Sequence, residues 1–386
     1  HSDIVAKGLV FDFETGDLLK LDGEGYVCLA QHGVRAPPLS PAEIRQRYGR
    51  RPWRHFAALQ TEPRGSADTF RSCLENFDAP AALLYARLVD LHDRRGERYT
   101  FGPAVMAAFE ENYSPAQFAS GGGGYFPALR DDTTTYVAER LELVRWLRDV
   151  RRQGCRLFLM TNSAPDYAQT LLDAAFGGRG GWQDLFDLAV FTARKSGTSR
   201  GFFSTADPPP FARLHGEEPG PALERAELAQ DAERIAGWGG ESAAGVRYVG
   251  GNLADLRLVL DCEDGAVAYV GDNHHGDIAV PKEVAGWKTI ALVDELRIVD
   301  DAQHAKDHDR EVLRSSLWGS WFHCPPSPCR AEEGGQEGLV PSFAASVLLE
   351  HADGVVGDLS ELANGGKFLD RELFAQLVTG AGTARL

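Results

Sequence analysis

Two aspartates five residues apart, Asp272 and Asp277, follow the apolar run Val267-Ala268-Tyr269-Val270 across Gly271. A strand that ends in Gly-Asp presents carboxylates at the carboxyl edge of a sheet, where open α/β folds bind ligands. Hard oxygen donors suit Mg²⁺, which takes one or two protein carboxylates and shares the rest of its shell with water and substrate phosphate. The same pattern is also an ordinary turn with an Asp cap on the next helix. Upstream, Arg156-Leu157-Phe158-Leu159-Met160 is a short apolar strand running into Thr161-Asn162-Ser163, and Ala164-Pro165-Asp166-Tyr167 opens a helix. A hydroxyl and free helix amides meeting there would favour a phosphoryl group, although Ser163 is equally a plain helix cap. Between these segments, Leu185-Phe186-Asp187-Leu188-Ala189-Val190-Phe191 reads as a strand and leads into Thr192-Ala193-Arg194-Lys195. A lysine past a strand end is commonly a solvated cation. Beside a phosphate and a carboxylate nucleophile, Lys195 would neutralise charge in the transition state, with Arg194 as a second anion contact.

Taken in order, the segments at Thr161-Asn162-Ser163, Ala193-Arg194-Lys195 and Gly271-Asp272 to Gly276-Asp277 resemble the second, third and fourth motifs of the haloacid dehalogenase superfamily. Other segments carry a narrower resemblance, to the cytosolic purine 5'-nucleotidase II type and its 5'-nucleotidase domain-containing relatives. Lys7-Gly8-Leu9-Val10-Phe11-Asp12 with Gly16 to Asp22 is similar to that family's hairpin segment. Tyr248-Val249-Gly250-Gly251-Asn252 resembles its glycine pair before a helix, and Leu317-Trp318-Gly319-Ser320-Trp321-Phe322 with Glu350-His351-Ala352-Asp353 resembles its carboxyl-terminal signature. The resemblance covers nearly the whole chain. It implies Mg²⁺-dependent hydrolysis of nucleoside monophosphates through an aspartyl-phosphate. Thr161 would then hydrogen-bond the transferring oxygens, Asn162 would orient the substrate with Ser163 beside it, and Lys195 would offset charge. Asp272 would bind Mg²⁺, and Asp277 would hold the metal's water shell or fix the loop. In such enzymes the cap holds the base with aromatic and polar groups. Phe109-Glu110-Glu111-Asn112-Tyr113 occupies a comparable position with a different sequence, so Phe109 and Tyr113 are candidate base contacts and equally candidate core residues of a cap helix.

The family's first motif, Asp-x-Asp-x-Thr, supplies the nucleophile and general acid from a strand ahead of the hairpin segment. It is not in this sequence, and three explanations lead to different functions. The motif lies upstream of His1, which is the reading preferred here. Alternatively the protein is a nucleotidase-like scaffold without phosphatase chemistry, serving as a structural or nucleotide-binding subunit. Or Phe11-Asp12-Phe13-Glu14-Thr15-Gly16 is itself the motif, with Asp12 as nucleophile, Glu14 in place of the second Asp and Leu18 to Val27 as the flanking hairpin. An extra methylene would displace the general acid by roughly 1 Å, and misplacements of that size cost about 10²-fold in rate.

The elements that must position these residues follow from periodicity and composition. With 386 residues, 43% hydrophobic and 25% charged, the chain is long enough for one large α/β domain with an inserted cap, or for two domains. Strands near Leu157, Ala189, Ala268 and Thr289 alternate with helices, predicting a Rossmann-like doubly wound parallel sheet of haloacid dehalogenase kind. Residues 1–33 read as a β-hairpin segment turning at Asp22-Gly23, and residues 34–122 as a mainly α-helical cap. Residues 123–300 read as the α/β core, and residues 301–386 as a helical extension with a mobile tail from Gly380. Gly121 to Gly124 is expected to be a flexible joint between cap and core. One helix is expected over Thr135 to Gln153, a long surface loop over Thr198 to Pro221, and the last core strand at Trp287 to Val293.

A formal charge of −16 argues against nonspecific binding to nucleic acid or anionic membranes. No apolar run reaches transmembrane length. The six cysteines are scattered, with Cys155 against a core strand, which predicts reduced thiols in an intracellular, most simply cytoplasmic, setting. His323-Cys324-Pro325-Pro326-Ser327-Pro328-Cys329 reads as a proline-stiffened surface loop in preference to a Zn²⁺ site. The expected partner is a phosphate monoester; a homo-oligomer or a place in a larger assembly stays open.

Overall fold

A computed structural model of the chain describes residues 7–63, 65, 68–74, 76–178, 181–216, 218–236, 245–297, 315–330, 338–366 and 368–379. Buried apolar positions build β1 (Leu9–Asp12), β2 (Asp17–Leu21) and β3 (Val27–His32). The β2–β3 turn falls at Asp22-Gly23 as expected, with Asp22 Oδ1 accepting from the backbone of Glu24 and Tyr26. A Ser40–Glu43 capping box starts α1 (Pro41–Tyr48), and α2 (Phe56–Thr61) follows. The stretch read as cap then yields a strand, β4 (Phe70–Cys73), which pairs antiparallel with β1 to complete the order β3-β2-β1-β4.

The other described helices of that stretch are α3 (Ala79–Arg95), α4 (Gly102–Asn112) and α5 (Pro115–Ser120), and α6 (Tyr125–Asp131) and α7 (Thr133–Tyr136) follow it. In α3 the buried stripe is Ala81, Ala82, Tyr85, Ala86 and Val89, while Leu84 is exposed. Gly121 to Gly124 links α5 to α6, whose Phe118 and Phe126 rings meet at 5.1 Å. The glycines therefore turn the chain between two packed helices. The single helix expected over 135–153 is broken. Val137 is extended, Arg140 N donates to Ala175 O, and α8 (Leu141–Arg152) starts only there.

Next come β5 (Phe158–Met160), α9 (Pro165–Ala175), β6 (Leu188–Phe191), β7 (Phe211–His215) and β8 (Glu218–Ala222). They are followed by α10 (Arg225–Ala236), β9 (Val246–Gly250), α11 (Leu253–Leu260), β10 (Ala268–Gly271) and β11 (Lys288–Leu292). The described carboxyl-terminal part holds β12 (His323–Cys324), β13 (Val340–Pro341), α12 (Phe343–His351), β14 (Gly354–Val356), α13 (Leu359–Asn364), β15 (Phe368–Asp370) and α14 (Arg371–Thr379).

The architecture is mixed α/β with parallel segments, divided between two sheets. One has the order β5-β6-β9-β7-β8, parallel through β5, β6 and β9; the other is β10-β11-β14-β15, parallel through β10, β11 and β14. Two expectations are corrected here. The region read as a surface loop supplies β7 and β8 and buries Phe202, Phe203 and Phe211. The strand at Lys288–Leu292 is not the last of its sheet, because Gly354–Val356, from the supposed helical extension, pairs parallel with it. Three residues are too few to show any periodicity.

Cys155 is exposed, and all six cysteines are free thiols. The 323–329 segment is no surface loop: Cys324 and Cys329 are buried, and Ser327 Oγ donates to Val27 O at 2.5 Å. Among the described residues, no helix is long and apolar enough to cross a membrane. The tail from Gly380, and residues 301–314 of the expected helical extension, lie outside the described residues.

Candidate active site

Three loops at the carboxyl ends of β5, β6 and β10 converge, and backbone hydrogen bonds lock the first two together. Thr161 N donates to Val190 O at 2.9 Å, Ala193 N to Thr161 O at 3.0 Å, and Thr192 N to Ser163 O at 2.9 Å. Asn162 joins this lacing through its side chain, with Oδ1 accepting from Lys195 N at 2.8 Å. The turn after β6 places Thr192 and Arg194 at φ 50° and 54°, a left-handed region that non-glycine residues rarely occupy. Such strain persists where the surroundings over-determine it, often at functional loops. Arg194 is exposed beside Lys195.

Lys195 Nζ pairs with Asp277 Oδ1 and lies 3.4 Å from the Tyr269 hydroxyl. Asp277 also accepts from Tyr269 Oη at 3.1 Å and, through Oδ2, from Asn273 N at 3.2 Å. Its segment, His274–Ala279, is a π-helical turn, a local distortion frequent at functional sites. Two glycines allow this close approach. A Cβ on Gly271 would collide with the Asp277 side chain, and one on Gly276 would sit 2.8 Å from Lys195 O.

Asp272 differs from Asp277. It is exposed, yet crowding by surrounding protein, followed by the Asp277 carboxylate, raises its pKa above the ordinary Asp value, against the opposing field of Lys195. A carboxylate that opens to solvent while its charge is disfavoured by its neighbours would gain from a dication. Among the described residues no group of three or more His, Cys, Asp or Glu side chains forms a ligand set. A cation at Asp272 would therefore lean on water and phosphate oxygens, which suits Mg²⁺. Asp277, engaged by three donors, is buried where Asp272 is exposed.

Ser163 does not cap α9. The N-cap is Ala164, which brings no side-chain oxygen to the first turn, and Ser163 N instead donates to Thr161 Oγ1 at 3.1 Å. Phe109 and Tyr113 lie at the end of α4, with ring centroids 6.2 Å apart. Tyr113 meets Tyr125 at 5.2 Å, and the Tyr125 hydroxyl is 2.8 Å from that of Tyr167 in the first turn of α9. A half-buried aromatic path thus runs from the end of α4 to the first turn of α9.

Asp12 is not brought to this cluster. Its carboxylate accepts from Trp53 Nε1 at 2.9 Å and from the backbone of Glu14 and Thr15 at 3.0 and 3.1 Å, tightening the turn after β1. Tyr269 was missed by sequence reasoning, because a tyrosine inside an apolar strand reads as core.

An α/β protein that gathers a hydroxyl, a lysine and two aspartates at parallel strand ends has the parts to hold a phosphate group. A model of the 5' nucleotidase family matches residues 1–315. The chain is 30% identical over 353 residues to 5'-nucleotidase domain-containing protein 1 of Homo sapiens, spanning 83% of this chain and 70% of that protein. It is 30% identical over 347 residues to the Bos taurus protein of the same name, with the same coverage. A 5'-nucleotidase domain-containing protein of Dictyostelium discoideum is 26% identical over 324 residues, 81% of this chain and 48% of that protein. The chain belongs to the 5'-nucleotidase family.

Proposed function

We propose that this chain is a phosphomonoesterase of haloacid dehalogenase kind that hydrolyses nucleoside monophosphates with Mg²⁺ through an aspartyl-phosphate. The observation that carries it is the lacing of Thr161, Asn162, Lys195 and Asp277 into one constellation, with exposed Asp272 beside it. In this reading Thr161 and the first turn of α9 bind the phosphoryl oxygens, with Ser163 and Arg194 at the margin. Lys195 offsets charge as the phosphoryl group transfers. Asp272 holds Mg²⁺, which when bound would neutralise phosphate charge, and Asp277 keeps Lys195 and the Asp272 turn in place. Phe109 and Tyr113, continued by Tyr125 and Tyr167, offer ring faces to a base.

The covalent route needs a nucleophilic carboxylate that none of these residues supplies. Among the described residues β5 and β10 each pair on one side only, and they meet through Phe158 and Tyr269, whose rings stack at 5.9 Å. A strand bearing the aspartate would join the two parallel halves there. The engagement of Asp12 in its own turn favours a second reading, an inactive nucleotidase-like protein that binds without turnover. The test is Mg²⁺-dependent phosphate release from a panel of purine and pyrimidine monophosphates. Wild type should turn over, and Asp272→Asn should lose at least about 10²-fold while keeping its melting transition. Unchanged turnover in the variant would sink the assignment of Asp272, and a wild type without turnover would favour the inactive reading.

A further inference from the structure

We propose that Tyr269 is a positioning residue of this site, its hydroxyl tying the Lys195–Asp277 pair to the end of β5 so that the ammonium faces a phosphoryl group held at Thr161–Ser163. This rests on the functional reading above and adds to it a residue outside the three loops.

The Tyr269 hydroxyl lies 3.4 Å from Lys195 Nζ, 3.1 Å from Asp277 Oδ1 and 3.3 Å from Met160 O. A phenol has one proton, so it accepts from the lysine and donates to either the carboxylate or the carbonyl. Met160 directly precedes Thr161, so this one oxygen connects the lysine to the backbone that carries the phosphate loop. The ring needs no hydroxyl to stay where it is. It is buried, lies nearly parallel to Phe158 at an interplanar angle of 10°, and packs on Trp287 at 5.4 Å. A phenylalanine would fill the same space. Burying a hydroxyl is unfavourable unless it is hydrogen-bonded, and here its partners are two charged groups of the site and the strand end beside them. Lysine is a flexible point charge, and without the hydroxyl its tip is held by Asp277 alone and can fold onto that carboxylate, away from an incoming anion.

The experiment is a double-mutant cycle read by calorimetric titration with inorganic phosphate, with phosphate release from nucleoside monophosphates measured alongside. Tyr269→Phe keeps its cooperative melting transition and binds phosphate about tenfold more weakly. Lys195→Gln, which can still hydrogen-bond Asp277, binds more weakly still, and adding Tyr269→Phe to it causes no further loss, because the hydroxyl acts through the lysine. A hydroxyl that merely supported the fold would give losses that add. Wild-type phosphate affinity in Tyr269→Phe, or additive losses in the cycle, would overturn the proposal for Tyr269 alone. A wild type that binds no phosphate would overturn the phosphate site itself and this proposal with it.

Discussion

His32 stands between two carboxylates, with Nδ1 2.7 Å from Asp17 and Nε2 2.9 Å from Asp93. Both ring nitrogens can donate only as imidazolium. The bond to Asp17 accordingly raises the pKa of His32 above its ordinary 6.5, against the effect of burial. Burial would push Asp17 up, but bonds from His32, Tyr48 and Arg47 outweigh it and hold its carboxyl below the ordinary 3.8. A raised folded-state pKa stabilises the fold fully below the ordinary value, and that contribution is lost as pH rises through the raised one. Asp17 stays ionised throughout that range. Melting temperatures of wild type and His32→Gln, measured from about pH 5.5 to about pH 8.5, should differ most at the acid end and converge as pH rises. Parallel curves would contradict the linkage. Single residues were legible unevenly. Lys195 and Asp277 stood out because each follows an apolar run at a strand end. The pairing of Asp17 with His32 did not, because nothing local marks a strand carboxylate as buried beneath a helix and a neighbouring strand.

At the level of elements, the glycine pair ahead of α11 was a clear signal, whereas the cap candidate Ser163 was not. Tyr248-Val249-Gly250-Gly251-Asn252 resembles the family's glycine pair before a helix, and Asn252 is the N-cap of α11, its Oδ1 accepting from Asp255 N at 3.0 Å. Its Nδ2 donates to Pro209 O at 2.9 Å, which also fastens the chain just before β7. Asn252→Ala should therefore destabilise by about 1–2 kcal/mol, a cap bond plus a second hydrogen bond, read as a lower urea midpoint. Asn252→Ser should recover the cap share only; a neutral Asn252→Ala would mean that neither bond contributes. What local pattern missed was set by distant pairing. β7 forms because Phe211 and Leu214 enter a core shared with β9, and the Pro and Gly around them had suggested a loop. Val137 breaks the expected helix because the backbone bond from Arg140 to Ala175 sets where α8 begins.

Across the whole molecule the two ends of the chain share one interior. Val10, Leu19 and Val27 of the first sheet pack in the same cluster as Ala291, Val355, Leu348 and Phe374. Charged groups were the least legible part of this interior, since Lys and Glu ordinarily mark a surface. Lys20 is fully buried and donates to Trp318 O at 2.7 Å, and burial lowers its pKa to about 8. Lys7, fully buried, donates to Glu295 at 3.0 Å across 288 residues of sequence. Glu295 also accepts from Ser320 Oγ at 2.7 Å and Trp321 N at 2.9 Å, so one carboxylate joins the first strand, the end of the β11 segment and the 320–321 turn. A buried pair is a poor source of net stability, yet removing one partner strands the other's charge and costs about 3–5 kcal/mol. Glu295→Gln should lower the urea midpoint on that scale, even though an amide can keep the bond to Trp321 N. Lys7→Met combined with Glu295→Gln should cost less than the sum of the single changes, because both single changes break the same ion pair. Simple additivity would show that the Lys7–Glu295 pair is not coupled, and that apolar packing holds the two ends together without it.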